Sequence, residues 1–185
     1  LVRPVRNFLA AEELTYPIVD TNQSTCYNAL DAIECGTAFA GQDAEYDGHA
    51  PSYQVNGDGT VSDLNTGLKW QQDPGDKVTW DVANTNADDF ILAGYDDWRL
   101  PTIKELYSLI QFSGTDPSPC GQNTMCDLVP FIDDSVFDFK YGDENTGDRM
   151  IDSQWATSNL YVDTGMAEMF GVNFADGRIK GYPLR

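Results

Sequence analysis

Basic residues are scarce in this sequence: 11 lysines and arginines stand against 30 aspartates and glutamates, which gives a net charge of −19. A field of this sign repels nucleic acid, anionic membranes and sulfated polysaccharides, so we expect no nucleic-acid partner. No apolar run approaches the roughly 20 residues that span a bilayer, and we expect no membrane insertion. A leader-peptide pattern is also missing, which carries no information about the precursor.

The motifs that organise catalysis are missing as well. The one histidine, His49, lies in a Gly/Ala/Pro context with no serine or cysteine motif beside it. There is no Gly-x-Ser-x-Gly elbow, no phosphate-binding loop and no dinucleotide fingerprint after a strand. Without a nucleophile and base, a poised acid pair or a metal frame, we expect a protein that is not an enzyme and requires no cofactor.

The four cysteines fall in two close pairs in turn-rich stretches: Cys26 with Cys35, and Cys120 with Cys126. Four cysteines permit three connectivities, of which we favour the two local pairings. Neither pair has the Cys-x-x-Cys spacing of a zinc or redox site. An even count in loops is typical of an oxidising compartment, and we therefore expect an extracellular or cell-surface location.

The clearest helix start lies in GYDDWRLPTIKELYSLIQF, residues 94–112. Thr102 and Glu105 form a capping box, in which each side chain satisfies a backbone donor of the first helical turn. We interpret Arg99 as a structural ion-pair partner at this corner. The apolar face of the predicted helix consists of Ile103, Leu106, Tyr107 and Ile110.

A second helix is predicted to begin after Thr79, with an apolar stripe from Trp80 onward, and to end near Ala93-Gly94. Short strands are predicted near residues 16–20, 60–62, 68–72, 153–158, 168–174 and 178–183, and Asp176-Gly177 predicts a hairpin between the last two. The NGDGTVSD stretch fails the end positions of a calcium-binding EF-hand loop and predicts two turns instead. This pattern indicates a loop-rich α+β fold of two amphipathic helices on short antiparallel strands, held by disulfides.

Three motifs together carry a family resemblance: GYDDWRLPTIKEL, DGTVSDLNTGLKWQQ and VNFADGRIKGY. Over Tyr16 to Tyr182 the chain resembles a bacterial surface domain family, first known as a domain of unknown function. That family was later named for the C-terminal domain of a Legionella collagen-like adhesin. The Arg-Leu-Pro-Thr corner is also similar to one in C-type lectin-like and sulfatase-modifying domains, which implies a C-type lectin-like fold. We divide the chain into an arm at residues 1–15 and one domain at residues 16–185.

The resemblance implies surface adhesion, with a glycan or a surface protein as the ligand. The namesake adhesin is associated with sulfated glycosaminoglycans, which need a basic groove. This chain is strongly acidic, so that ligand class does not transfer to it. A neutral glycan, or a ligand bridged by calcium, suits the charge better.

Residues 141–152, YGDENTGDRMID, concentrate four carboxylates in a glycine-broken segment: Asp143, Glu144, Asp148 and Asp152. Flexible loops with several carboxylates are what calcium selects, which makes these residues a candidate calcium site. The alternative is a hydrated loop in which Arg149 supplies an internal counter-charge.

The arm at residues 1–15 is apolar and basic, unlike the rest of the chain. It either docks on its own core or packs on a neighbouring subunit. In the second case the chain is a structural subunit of a homopolymeric surface filament or oligomer, with copies of itself as partners. The residues expected to make that contact are Arg3, Val5, Arg6, Phe8 and Leu9.

Overall fold

The computed structural model describes residues 1–7, 17–36, 38–120, 127–162 and 167–184. The described strands are β1 (Val5–Asn7), β2 (Cys26–Tyr27), β3 (Ala32–Ile33), β4 (Tyr53–Val55), β5 (Thr60–Asp63), β6 (Leu68–Gln71), β7 (Gln154–Val162), β8 (Ala167–Asn173) and β9 (Arg178–Pro183). The α-helices within these described ranges are α1 (Trp80–Ala87) and α2 (Ile103–Tyr107). Two helices with antiparallel strands agree with the predicted α+β class.

The first sheet has four antiparallel strands in the order β1-β6-β5-β4. Its centre is Trp70, which lies opposite Val5 on one side and opposite Val61 on the other. All three side chains are buried. The predicted strands near residues 60–62 and 68–72 are confirmed, as is the inward position of Trp70.

The second large sheet is the antiparallel meander β7-β8-β9. The turn at residues 174–177 contains Asp176 and Gly177, which confirms the predicted hairpin. β7 extends to Val162, beyond the predicted end at residue 158, and its register with β8 shifts between Ala156 and Leu160. Pairing with β8 supplies backbone partners that the sequence pattern did not reveal. The predicted strand near residues 16–20 is reduced to one bridge between Val19 and His49, and Tyr16 lies outside the described residues.

Helix α2 begins at the predicted capping box. The Thr102 hydroxyl accepts from the Glu105 N–H at 3.3 Å, and the Glu105 carboxylate accepts from the Thr102 N–H at 2.7 Å. The helix contacts β7 and β8 and buries Leu106 completely. On its outer side Tyr107 stays exposed.

Helix α1 starts after Thr79 as predicted, and the Thr79 hydroxyl accepts from a backbone N–H of the first turn. Its predicted end was wrong, because the helix stops at Ala87. Ala93 and Gly94 both have positive φ, 55° and 80°, and form the turn of a small hairpin that pairs Leu92 with Tyr95. Two residues with φ above zero are the signature of a type I′ hairpin turn, so Gly94 serves this turn and not a helix cap.

The main core lies between the two large sheets and α2. It consists of Val5, Val61, Leu68, Trp70, Leu106, Leu109, Ile110, Ile132, Phe137, Trp155, Val172 and Phe174. A smaller cluster joins α1 to Leu100.

The segment at residues 1–7 lies in this fold. Arg3 is fully buried, and its guanidinium lies 4.6 Å from the ring centroids of both Phe137 and Trp155. It donates hydrogen bonds to the carbonyl oxygens of Gln71, Gln72 and Asp138. Docking on its own core is therefore the arrangement of residues 1–7. Phe8 and Leu9 lie outside the described residues, and the division of the chain at residue 15 stays a prediction.

Candidate functional site

Three large aromatic side chains are exposed in one segment, which begins at the Cys26–Cys35 disulfide. Tyr27 is 49% exposed, Phe39 is 64% exposed and Tyr46 is 67% exposed. We call residues 26–46 the aromatic loop; Thr37 within it lies outside the described residues. Exposed aromatic rings grouped in one segment are the kind of surface that proteins use for recognition, because each ring offers a large rigid contact area with few rotatable bonds.

The first part of the aromatic loop is a small hairpin formed by β2 and β3. Cys26 is bonded to Cys35, which confirms the first predicted disulfide. At the tip, the Asn28 side-chain oxygen accepts from the N–H groups of Leu30 and Asp31 at 2.8 and 2.7 Å. Such local side-chain bonds replace the backbone partners that a tip this short cannot supply.

Gln42 and Glu45 order the second part of the aromatic loop. The Gln42 side chain accepts from the Tyr27 N–H at 2.9 Å and donates to the Tyr27 and Phe39 carbonyl oxygens at 2.8 and 3.0 Å. The Glu45 carboxylate accepts from the N–H groups of Gly41 and Gly36 at 2.6 and 2.9 Å. These two side chains therefore hold the backbone around the exposed rings in one arrangement.

The charge at this site is negative. Hydrogen bonds from Gly41 and then Gly36 hold the pKa of Glu45 below its usual value, although burial acts in the opposite direction. Asp31, Asp43 and Asp47 are exposed in the same part of the chain. Apolar ring faces beside carboxylates can stack on the C–H faces of a neutral sugar while the carboxylates accept from its hydroxyls.

Phe39 is the unusual residue of the aromatic loop, because its φ is 64°. A left-handed backbone is uncommon for any residue other than glycine and costs about 1–2 kcal/mol. The ring is mostly in solvent, so the conformation is not offset by burial of the side chain. Strain kept at an exposed aromatic residue is an observation that points to function.

The sequence pattern did not single out these rings. It favoured the pairing of Cys26 with Cys35 in a turn-rich stretch, and that bond is present. The sequence did contain a signal, since three aromatic residues occur in a polar, glycine-rich segment. Because this segment has no hydrophobic periodicity, it predicts no core positions at which the rings could be buried.

Arg99 and Glu105 form the expected structural ion pair. The Arg99 guanidinium donates to both carboxylate oxygens of Glu105, at 2.6 and 2.9 Å. Burial raises the pKa of Glu105, but the hydrogen bonds from Arg99 and Thr102 outweigh it and hold that pKa below its usual value. The pair fixes the chain at the start of α2.

Three of the four candidate calcium ligands have separate partners. Asp143 accepts from the Asn145 N–H, Asp148 pairs with Lys77, and Asp152 pairs with Arg149 at 2.7 Å. Glu144 begins a 3₁₀ turn that extends to Thr146. Among the described residues, no three His, Cys, Asp or Glu side chains are grouped so that they could hold a metal ion. The calcium site stays a prediction, and the Arg149 contact is the one that the hydrated-loop alternative expects.

Hydrogen bonds from Arg149 lower the pKa of Asp152 to about 2, although burial acts against this shift. The carboxylate is therefore ionised at neutral pH. The second predicted disulfide cannot be placed in full: Cys120 is disulfide-bonded, and Cys126 lies outside the described residues. In the described part of the chain, neither helix has the length and apolar character needed to cross a membrane.

An apolar cavity of about 310 Å³ lies beside α2. Its wall includes Ile103, Tyr107 and Ile179, together with the highly exposed Ile18. Residues 8–16, which precede this wall in sequence, lie outside the described residues, so no site is assigned to the cavity.

Comparison with known families gives one match. The model of the Lcl C-terminal domain family matches residues 59–184, which is more than half of the chain. No curated protein and no solved structure matches. The match includes the Arg99 corner and both large sheets apart from β1 and β4, and it begins after the aromatic loop. The aromatic loop therefore belongs to the part of this chain that lies outside the match.

Proposed function

We propose that this chain, which belongs to the Lcl C-terminal domain family, is a non-enzymatic recognition module at the cell surface. The family is one of adhesin-related surface domains, and the Cys26–Cys35 bond is in keeping with an oxidising compartment. For the fold we propose the C-type lectin-like type, which the Arg99–Glu105 corner and the capped start of α2 support.

The aromatic loop is the proposed binding surface, with a neutral glycan or a surface protein as its ligand. The observation that carries this proposal is the set of three exposed rings, held by the side chains of Gln42 and Glu45 rather than by a hydrophobic core. The net charge of −19 disfavours sulfated glycans in the same surface.

The test is binding to an array of immobilised neutral oligosaccharides, with heparin as the anionic comparison. We expect binding to neutral glycans and none to heparin. Phe39→Ala and Tyr46→Ala should each weaken binding about tenfold or more, since a buried aromatic contact contributes about 1.4 kcal/mol or more at such sites. The matched control is Leu64→Ala, which removes an exposed apolar side chain outside the aromatic loop.

Two results would count against the proposal. If both aromatic variants bind as well as the unaltered chain, the aromatic loop is not the binding surface. If binding to every neutral glycan is absent, a protein ligand becomes the remaining form of the proposal, and immobilised extracellular-matrix proteins are the next probes. Binding unchanged in EDTA would remove calcium as a bridge.

The second candidate is self-assembly through residues 1–7 and the residues that follow. Arg3 and Val5 fill buried positions next to β6, and the same segment from a second copy could fill them with identical contacts. Exchange of an identical element is a low-cost route to oligomers.

A cross-link distinguishes exchange from docking within one chain. Arg6 and Lys69 are register partners across β1 and β6, so the double variant Arg6→Cys/Lys69→Cys places two thiols side by side. Docking on its own core gives a cross-linked monomer on a non-reducing gel. Exchange gives cross-linked dimers or ladders at the same concentration, and a monomer alone removes the assembly candidate for this segment.

A further inference from the structure

We infer that Asn22 is an acceptor for an N-linked glycan. Asn22-Gln23-Ser24 is the acceptor sequence Asn-x-Ser with a residue other than proline in the middle. No other asparagine in the sequence has serine or threonine two positions later. The inference depends on the proposed extracellular location, because such glycans are attached to exported chains.

Asn22 lies in an irregular stretch of backbone before β2. Its φ is 54°, in the left-handed region that asparagine tolerates better than most residues. The Asp20 carboxylate accepts from the Asn22 N–H at 2.7 Å. On the other side, the Gln23 amide donates to the Phe112 carbonyl oxygen at 3.3 Å and its oxygen accepts from the Thr25 N–H at 2.8 Å. The residues around Asn22 are thus fixed to the body of the protein.

The Asn22 side chain itself is exposed, and within the described part of the chain its carboxamide has no hydrogen-bond partner. Ser24 is exposed as well, and its hydroxyl has no partner among the same residues. Asn173 is the opposite case, since it is buried and its Nδ2 donates to the Ile151 carbonyl oxygen at 2.7 Å. A glycan on Asn22 would therefore displace no side-chain hydrogen bond between described residues.

The reaction is a glycosyl transfer from a polyprenyl-diphosphate-linked oligosaccharide, carried out by a membrane oligosaccharyltransferase. The Asn22 Nδ2 forms a bond to the anomeric carbon, and the bond from that carbon to the diphosphate oxygen breaks. The polyprenyl diphosphate leaves with the electron pair, and Nδ2 gives up one proton to the transferase. Asp20 stands two residues before the acceptor, so an acidic side chain flanks it.

The position matters because Asn22 lies four residues before Cys26, where the aromatic loop begins. A hydrated glycan here would stand beside the proposed binding surface. It would shield the exposed rings from non-specific association, which is a liability of grouped apolar side chains.

The experiment exports the full chain to the periplasm of bacteria that contain a bacterial oligosaccharyltransferase and its lipid-linked glycan. Intact mass should increase by one glycan, and Asn22→Gln and Ser24→Ala should each abolish the increase. The matched control is Gly147→Ser in the Asn22→Gln background. It creates a second acceptor at the exposed Asn145, which also has an acidic residue, Asp143, two positions before it.

The inference is overturned if the unaltered chain keeps its unmodified mass while the Gly147→Ser control gains a glycan. It is also overturned if the mass increase survives in Asn22→Gln. Because export is imposed in this experiment, the result does not depend on where the protein resides naturally. The oligosaccharide array is run with unglycosylated protein, so failure of one proposal leaves the other standing.

Discussion

Replacement of Arg3 by methionine tests whether residues 1–7 are part of the fold. Methionine keeps most of the apolar stem and removes the guanidinium, which lies between the rings of Phe137 and Trp155. Three carbonyl oxygens lose the guanidinium as a donor, although the Gln72 oxygen keeps the Asp138 N–H at 3.2 Å. A buried acceptor left without any donor costs about 1–3 kcal/mol. Each lost ring contact costs up to about 2 kcal/mol when water is excluded.

An opposing effect reduces the total. Burial lowers the pKa of Arg3 to about 9, against the influence of Asp138, so the charged guanidinium is held at a desolvation cost. That cost is several kcal/mol for a buried ion, and methionine removes it. We expect a net loss of about 3 kcal/mol, in the range seen when one partner of a buried charged group is deleted. For a chain of this size the melting temperature should decrease by about 6–12 °C.

The assay is urea denaturation followed by tryptophan fluorescence, with Arg6→Met as the matched control. Arg6 lies in β1, pairs with the exposed Asp97 and stacks on Tyr95 at 4.0 Å, so its loss should cost about 1 kcal/mol. The midpoint should move while the slope stays constant. If Arg3→Met costs no more than Arg6→Met, Arg3 does not anchor the segment and the reasoning fails.

Three further outcomes are expected. Hydrogen bonds from Arg99 and Thr102 hold the pKa of Glu105 below its usual value of 4.5. The ion pair therefore stabilises the protein above pH 4.5, and this stabilisation is lost as the pH falls through the lowered pKa. Glu105→Gln should therefore lower the free energy of unfolding by about 1–2 kcal/mol at pH 7. The urea midpoints of the variant and the unaltered protein should converge below pH 4. A difference between the midpoints that stays constant with pH would contradict this role of the ion pair. Replacement of both Cys26 and Cys35 by serine should lower the free energy of unfolding by about 2–3 kcal/mol. In limited proteolysis of this variant, the first cleavage should occur within the aromatic loop, and a first cleavage elsewhere would refute the prediction. Phe39→Gly should leave the free energy of unfolding unchanged in thermal melts or raise it by about 1 kcal/mol, because glycine accepts the left-handed backbone freely. Glycan binding by this variant should fall. A clear loss of stability would show that the ring is structural.

The sequence predicted the elements whose signals are local. The capping box at Thr102 and Glu105, the Asp176-Gly177 hairpin and the Cys26–Cys35 bond each depend on residues a few positions apart, and each is present. The end of α1 was predicted wrongly because Gly94 fits both a helix cap and a hairpin turn, and only the pairing of Leu92 with Tyr95 decides between them.

Contacts between distant residues could not be derived from the sequence. Nothing near Arg3 predicts that Phe137 and Trp155 will enclose its guanidinium. The candidate site was missed for a related reason. Whether Tyr27 and Phe39 are exposed depends on which distant residues pack against them, and the local sequence does not show this. In an irregular segment no periodicity separates inward from outward positions.

The anchoring of Arg3 also sets an order of events during biosynthesis. Its acceptor at Asp138 is 135 residues away, so the segment cannot reach its final position until most of the chain has been made. The Cys26–Cys35 bond closes a separation of only nine residues and can form much earlier. Proteins whose folds depend on contacts between distant residues fold slowly, and their strand edges stay exposed until those contacts form. We therefore expect a newly exported chain to carry a stapled aromatic loop before β6 acquires its last neighbour, and this interval is when the chain is most open to chaperones and to association with other copies.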